Sequence, residues 1–384
     1  MHFRLIIKIF VMKKNISILT IALLLCLFGG CKKSLPTFVI NGVVSMQEFE
    51  GCPVYLNSLE SQTPLDSTVV KDGKFQFKGS LAKPTMGQII AICEDNGMRC
   101  NSIIVLEPGK IFIDIVTDSL SGTPLNDYYY KTFTSDTSVR RFRAERDTLY
   151  NMYIEAESEA EQSAILTKYG YTDSCLTSRI SEISRKMFVD NQNNILGAHA
   201  LQQLAQNEHF NFSRLDSIMS MASPIVSEYE PLRAIRTRLF HLDNTSEGKH
   251  FTDLNGIDFT TGKRGKLSDL IDTSKITLID FWASWCGPCR QEIENNLVRL
   301  YTQYGESGLN IIGIDVWDEL ENHKVAVEDL GITYPQLIDT TKAATDTYGV
   351  EGVPTILLID RHGTIVKRDL RGDSIEAAVL EYLK

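Results

Sequence analysis

The chain has 384 residues, 39 basic against 49 acidic side chains, a formal charge of −10, and 43 % hydrophobic and 23 % charged residues. That composition is ordinary for a folded protein and excludes wholesale disorder, collagen-like repetition and a polytopic membrane protein. The length calls for two or three domains, the acidic balance argues against nucleic acid as a partner, and eight cysteines are too few for a disulfide-dense mini-scaffold.

Residues 1–30 carry Arg4, Lys8, Lys13 and Lys14 and no acidic side chain. Ile16 to Phe28 is apolar apart from Ser17 and Thr20 and ends in Gly29-Gly30-Cys31. A basic start, a short apolar run and small residues before a cleavage point form an export signal. The run is shorter than the ~20 residues that span a bilayer. Met12, directly before Lys13-Lys14, offers a second start. The small pair before Cys31 resembles the lipobox of bacterial lipoproteins, with Phe28 where that motif usually has Leu. The resemblance implies acylation of Cys31 and anchoring to a membrane in the periplasm or cell envelope. Loss of residues 1–30 takes the charge from −10 to −14.

A β-rich domain is expected over 31–120. Its short runs are Phe38–Val44, Pro53–Leu56, Thr68–Val70, Phe75–Phe77, Gln88–Cys93, Ser102–Leu106 and Ile111–Ile115, separated by turns such as Asp72-Gly73 and Asn96-Gly97. Seven such runs predict an antiparallel sandwich-like fold. If Asn96-Gly97 is a two-residue hairpin turn, Cys93 faces Cys100 within disulfide reach. The pair then forms a structural disulfide or packs as two buried thiols. Cys52 and Cys175 have no evident partner.

Residues 121–245 read as a helical spacer, or as a packing partner for the β-rich domain. Leu149, Met152, Tyr153 and Ala156 recur at helical spacing, as do Ile180, Ile183, Met187 and Phe188. Four or five helices are expected, punctuated by Pro224 and Pro231. Glu155, Glu157, Glu159 and Glu161 read as a solvated face.

Residues 246–384 alternate strand and helix. Strands fit Ile276–Phe281, Asn310–Val316, Gln336–Ile338, Thr355–Ile359 and Ile365–Lys367; helices fit 287–304, 319–330, 342–348 and 374–383. Apolar runs without alternation predict strands buried on both faces of a parallel-cored α/β sheet.

The chemistry-bearing segment is Trp282-Ala283-Ser284-Trp285-Cys286-Gly287-Pro288-Cys289-Arg290. A strand feeding a C-x-x-C at a helix start puts Cys286 where unsatisfied N–H groups favour thiolate, with Cys289 one turn later. Pro288 suits the first turn, where its missing N–H has no helical partner. The C-x-x-C has no second pair and no suitable His-x-His spacing for a zinc site.

This segment resembles the thioredoxin superfamily, and more narrowly its TlpA/ResA-like exported branch, over about a third of the chain. Asp280, six residues before Cys286, stands where thioredoxins bury a carboxylate. Val353-Pro354-Thr355 resembles the loop whose cis-proline faces the active site. Pro354 lies 65 residues after Cys289, long enough for the branch's helix–strand insertion. Glu292 matches a glutamate that the branch places near its cysteines. The branch's proline shortly afterwards, a helix kink, is replaced by Ile293-Glu294-Asn295. Upstream, Asp66-Ser67-Thr68 and Asp72-Gly73-Lys74-Phe75 resemble a β domain of unknown function that precedes such domains.

The resemblance implies an exported thiol–disulfide oxidoreductase acting on cysteine-containing exported proteins. Cys286 would attack a substrate disulfide. Cys289 would resolve the mixed disulfide with Asp280 and Glu292 handling its proton. Trp285, Gly287, Pro288, Val353 and Pro354 would form the substrate groove. No cofactor or metal is expected beyond the Cys286–Cys289 disulfide, and a membrane electron donor would reduce it again. The rival readings are a partner- or glycan-binding lipoprotein with a secondary redox domain, and a thiol peroxidase. The peroxidase pattern needs Pro and Thr or Ser where Ile279 and Ala283 stand.

Overall fold

The structure, a computed structural model, describes residues 35–61, 63–94 and 97–384. The export signal and Cys31 lie outside the described residues. Two compact units divide the chain, one ending at Lys131 and the other spanning Thr132–Lys384.

The first unit contains eight strands: β1 (Thr37–Val43), β2 (Pro53–Ser58), β3 (Pro64–Val69), β4 (Lys74–Ser80), β5 (Thr85–Cys93), β6 (Met98–Leu106), β7 (Gly109–Asp114) and β8 (Ser119–Ser121). They form two four-stranded sheets, ordered β4-β1-β7-β8 and β3-β2-β5-β6. Alternation is clear in β1 and β2, whose every second residue is buried, and in β4, where Phe75 and Phe77 are buried. Pairing is antiparallel except between β1 and β7, which run parallel. Helix α1 (Pro124–Tyr129) closes the unit. Its buried Asn126 donates to the Val105 carbonyl and accepts from the Val105 amide.

The Cys93–Cys100 disulfide does not form. Cys93 is bonded to Cys52 with their Cα atoms 5.2 Å apart, and Cys100 is a free thiol. The β5–β6 register pairs Cys93 with Met98 and Ala91 with Cys100, leaving residues 94–97 between the paired positions. This register is displaced by two residues from the one that a two-residue turn would impose. A two-residue displacement keeps every side chain on its face, so alternation cannot detect it. The β2–β5 register opposes Val54 to Ala91, and continuing it by two residues brings Cys52 opposite Cys93.

The second unit begins with helices α2 (Thr137–Glu155), α3 (Glu159–Asp190), α4 (Ile195–Asn207), α5 (Phe212–Met221), α6 (Pro224–Ser227) and α7 (Glu230–Asn244). Asp136, Ser158, Asn194 and Asn211 cap α2 to α5 by accepting from backbone amides of the first turn. Pro224 and Pro231 stand in the first turns of α6 and α7, where a missing N–H costs nothing. Glu155, Glu157, Glu159 and Glu161 are all exposed. Met152 is exposed too, so the expected apolar face of α2 is covered only in part.

The remainder is an α/β domain around a seven-stranded mixed sheet. Its strands are β9 (Asn255–Asp258), β10 (Arg264–Lys266), β11 (Ile276–Trp282), β12 (Leu309–Asp315), β13 (Gln336–Ile338), β14 (Thr355–Ile359) and β15 (Ile365–Lys367), ordered β10-β9-β13-β12-β11-β14-β15. β11, β12 and β13 run parallel, and β14 is antiparallel to β11. Every residue of β11 and β12 is buried, as uninterrupted apolar runs require. Leu278 and Trp282 point into a core with Cys286, Cys289 and Ile293, whereas Ile279 and Phe281 enter the opposite core with Tyr348 and Leu357. The helices are α8 (Leu267–Leu270), α9 (Gly287–Glu292), α10 (Val298–Tyr304), α11 (Leu320–Asp329), α12 (Ala343–Tyr348) and α13 (Asp373–Tyr382).

The helical region is therefore part of one unit with this domain. Arg368 donates to the Thr245 carbonyl at 3.0 Å and to the Tyr348 carbonyl at 2.6 Å, and Arg238 pairs with Glu351 at 2.8 Å.

Candidate active site

β11 delivers its last residues to the sheet edge, and the chain turns through Ala283-Ser284-Trp285 into α9. Asp318 holds that turn: it accepts from the Ser284 amide at 2.5 Å, the Ser284 hydroxyl at 2.9 Å and the Glu319 amide at 2.8 Å. The Trp285 indole donates to the Trp317 carbonyl at 3.0 Å, yet the side chain is 63 % exposed beside the helix start. The buried Trp282 indole donates to Gln336 at 3.0 Å.

Cys286 and Cys289 are joined as a disulfide, with Cα atoms 5.3 Å apart. Cys286 occupies the N-cap of α9, and its sulfur accepts from the Cys289 amide at 3.2 Å. The same N–H would stabilise a Cys286 thiolate once the bond is reduced. Cys286 retains 4 % exposure while Cys289 has none, so the first sulfur is the accessible one. Gly287 and Pro288 are exposed.

The Val353–Pro354 peptide is cis, and the Val353 carbonyl oxygen lies 3.5 Å from the Cys286 sulfur. The structure thus brings Trp285, Gly287, Pro288, Val353 and Pro354 to the rim of the disulfide.

Asp280 alternates onto the β11 face that carries Leu278 and Trp282, the face whose core includes Cys286 and Cys289. It is buried, and among the described residues neither carboxyl oxygen has a hydrogen-bond partner. Burial pushes its pKa up to about 8; the Arg371 charge opposes that rise and Glu292 adds to it.

Glu292 is fixed at both oxygens. One accepts from the Gly372 amide at 2.9 Å and the other from Asn296 at 2.8 Å. A π-turn over Ile293–Leu297 interrupts the long helix between α9 and α10. A π-turn inserts a residue into the helical ladder and is a recognised cause of kinks. The irregularity that the branch builds with proline is built here without one.

Several residues of the site carried no sequence signal. Asp318, Gln336 and Arg371 are single polar residues in loops or strands, remote in sequence from the C-x-x-C. Among the described residues, Asp315, Asp318 and His323 each bring one potential ligand atom within 4.8 Å of the others. Asp318 already satisfies Ser284 and Glu319, and His323 Nδ1 lies 3.3 Å from Asp315.

A disulfide at a helix start, flanked by a cis-proline loop and backed by a buried carboxyl, defines a thioredoxin-fold dithiol–disulfide centre. Residues 248–368 match the AhpC/TSA family, and residues 38–129 match a domain of unknown function, DUF4369. The thiol-disulfide oxidoreductase ResA of Bacillus subtilis is 30 % identical over 131 residues, which is 33 % of this chain and 69 % of that protein. ResA of Bacillus anthracis is 34 % identical over 123 residues, 32 % of this chain and 69 % of the relative. The thioredoxin domain of a thiol-disulfide oxidoreductase from Bacteroides vulgatus is 30 % identical, with a TM-score of 0.34, covering 36 % of this chain and 99 % of that domain. The chain belongs to the ResA-like thiol-disulfide oxidoreductases of the thioredoxin superfamily.

Proposed function

We propose that the protein works outside the cytoplasm, anchored to a membrane through acylated Cys31, and reduces disulfides in exported cysteine-containing proteins. The observation that carries the redox half of this reading is the asymmetry of the pair: Cys286, at a helix N-cap, keeps 4 % exposure, and Cys289 has none.

The Cys286 thiolate attacks one sulfur of the substrate disulfide; the substrate S–S bond breaks as the mixed disulfide forms, and the other substrate sulfur leaves as a thiolate that takes a proton from water. Cys289 then gives its proton to Asp280, and its sulfur attacks Cys286. The Cys286–Cys289 bond forms as the Cys286–substrate bond breaks, so two electrons pass from the dithiol to the substrate. Glu292 stabilises the proton on Asp280, because two nearby carboxylates resist double ionisation. Trp285, Gly287, Pro288 and the Val353-Pro354 loop hold the substrate backbone at the rim. This chemistry uses no cofactor beyond the disulfide, and a membrane electron donor completes the cycle. Export and anchoring rest on the signal and the Cys31 motif.

Gly287-Pro288 is the thioredoxin-type dipeptide and supports the reducing direction. The test is insulin reduction by wild type and Cys286→Ala, combined with the equilibrium potential of the pair. Activity lost in the variant and a potential towards about −270 mV are expected. Equal activity in both, or a potential near about −120 mV, contradicts the reading.

A further inference from the structure

The turn before α13 touches both halves of the site. The Arg371 guanidinium donates to the carbonyl of Pro354, and a second nitrogen donates to the Leu370 carbonyl at 2.7 Å. The next residue, Gly372, donates its amide to Glu292. One short segment therefore grips the cis-proline loop on one side and Glu292 on the other. Arg371 is solvent-facing, so no core packing explains its presence.

We propose that Arg371 is a positioning residue for the resolving step: it fixes the cis-proline loop and supplies the positive charge that keeps Asp280 available as a base for Cys289. This rests on the role given to Asp280 above. The groups around Asp280 come from several elements. Glu292 approaches from α9, Arg371 from the turn before α13, and the buried Tyr334 hydroxyl from the segment before β13. Arg371 is the cation among these. An arginine suits the task because it stays charged and its planar fork can hold two carbonyls at once. Substrate bound across Val353-Pro354 would press on the carbonyl that Arg371 holds, linking substrate docking to the proton acceptor behind it.

The experiment compares two pH profiles of the full chain. One is kcat for reduction of a disulfide-bonded peptide, with dithiothreitol as electron source. The other is the titration of the Asp280 carboxyl in the oxidised protein, followed by carbon NMR. In wild type both are expected to inflect near pH 8. In Arg371→Gln, which retains a donor but not the charge, both move upward by at least about half a unit, roughly a three-fold loss of ionised Asp280 below the midpoint. KM is expected to rise as the loop loses its clamp. Arg371→Lys keeps the charge and restores the midpoint. Unmoved midpoints in Arg371→Gln, or a lysine variant shifted as far as the glutamine one, overturn the proposal. An Asp280→Asn enzyme that retains the wild-type inflection in kcat instead overturns the Asp280 role beneath it.

Discussion

Asp280 costs the folded protein stability, and the pH window of that cost follows from its titration. Its pKa rises from 3.8 to about 8 on folding. Well below pH 3.8 the carboxyl is protonated in both states and stability is unaffected. As pH climbs from about 4 to about 8, the unfolded chain releases a proton that the folded one keeps, so stability falls through that window and then levels off. Four units at about 1.4 kcal/mol each set an upper bound of about 6 kcal/mol. Asp280→Asn is expected to resist denaturant better than wild type at pH 8.5, with the pH-dependent difference vanishing well below pH 3.8. A difference independent of pH would contradict the buried, unpaired carboxyl. Retaining so costly a group beneath the disulfide fits a proton-handling role.

At the scale of elements, the Cys52–Cys93 bond ties the start of β2 to the end of β5 across a loop of about forty residues. Chain-entropy reasoning puts its contribution at about 4 kcal/mol, and measured cases typically fall at 2–4. The Cys52→Ala/Cys93→Ala variant should lower the denaturant midpoint of the β-rich unit accordingly. Peptide mapping of the oxidised protein should find Cys100 and Cys175 alkylated and Cys52 protected. A Cys93–Cys100 peptide would contradict the register. The Cys52–Cys93 pairing was beyond the reach of the sequence because β2 pairs with β5 across β3 and β4, which lie in different sheets, and no local pattern names the partner of a strand. The π-turn was equally hidden: Ile293, Leu297 and Leu300 keep helical apolar spacing through it. By contrast, β11, β12 and β14 were legible almost to the residue, since doubly buried strands print as largely apolar runs between turns. The missed β9 and β10 are short, polar and only partly buried.

At the scale of the whole molecule, the cysteine pair could be located from its motif and spacing, and Asp280, Glu292 and the proline loop from the resemblance to the thioredoxin superfamily. The association of the helical region with the α/β domain could not. Part of it rests on Arg368, a residue with no sequence signal that the fold brings to Thr245 and Tyr348. Its side chain is 9 % exposed, and burial lowers its pKa, so both carbonyl bonds offset a desolvation cost. Arg368→Met is expected to destabilise the unit Thr132–Lys384 by about 2–4 kcal/mol, read as a lower melting midpoint in calorimetry. An unchanged midpoint would mean that the two regions do not depend on this link.

The claim at the centre is that Cys286 attacks and Cys289 resolves. Mixing reduced Cys289→Ala protein with a disulfide-bonded peptide and mapping the product by mass spectrometry tests it most directly. A stable one-to-one mixed disulfide on Cys286, absent from Cys286→Ala, is expected. A stable adduct on Cys100 or Cys175, or the same yield from the Cys286→Ala protein, would contradict it.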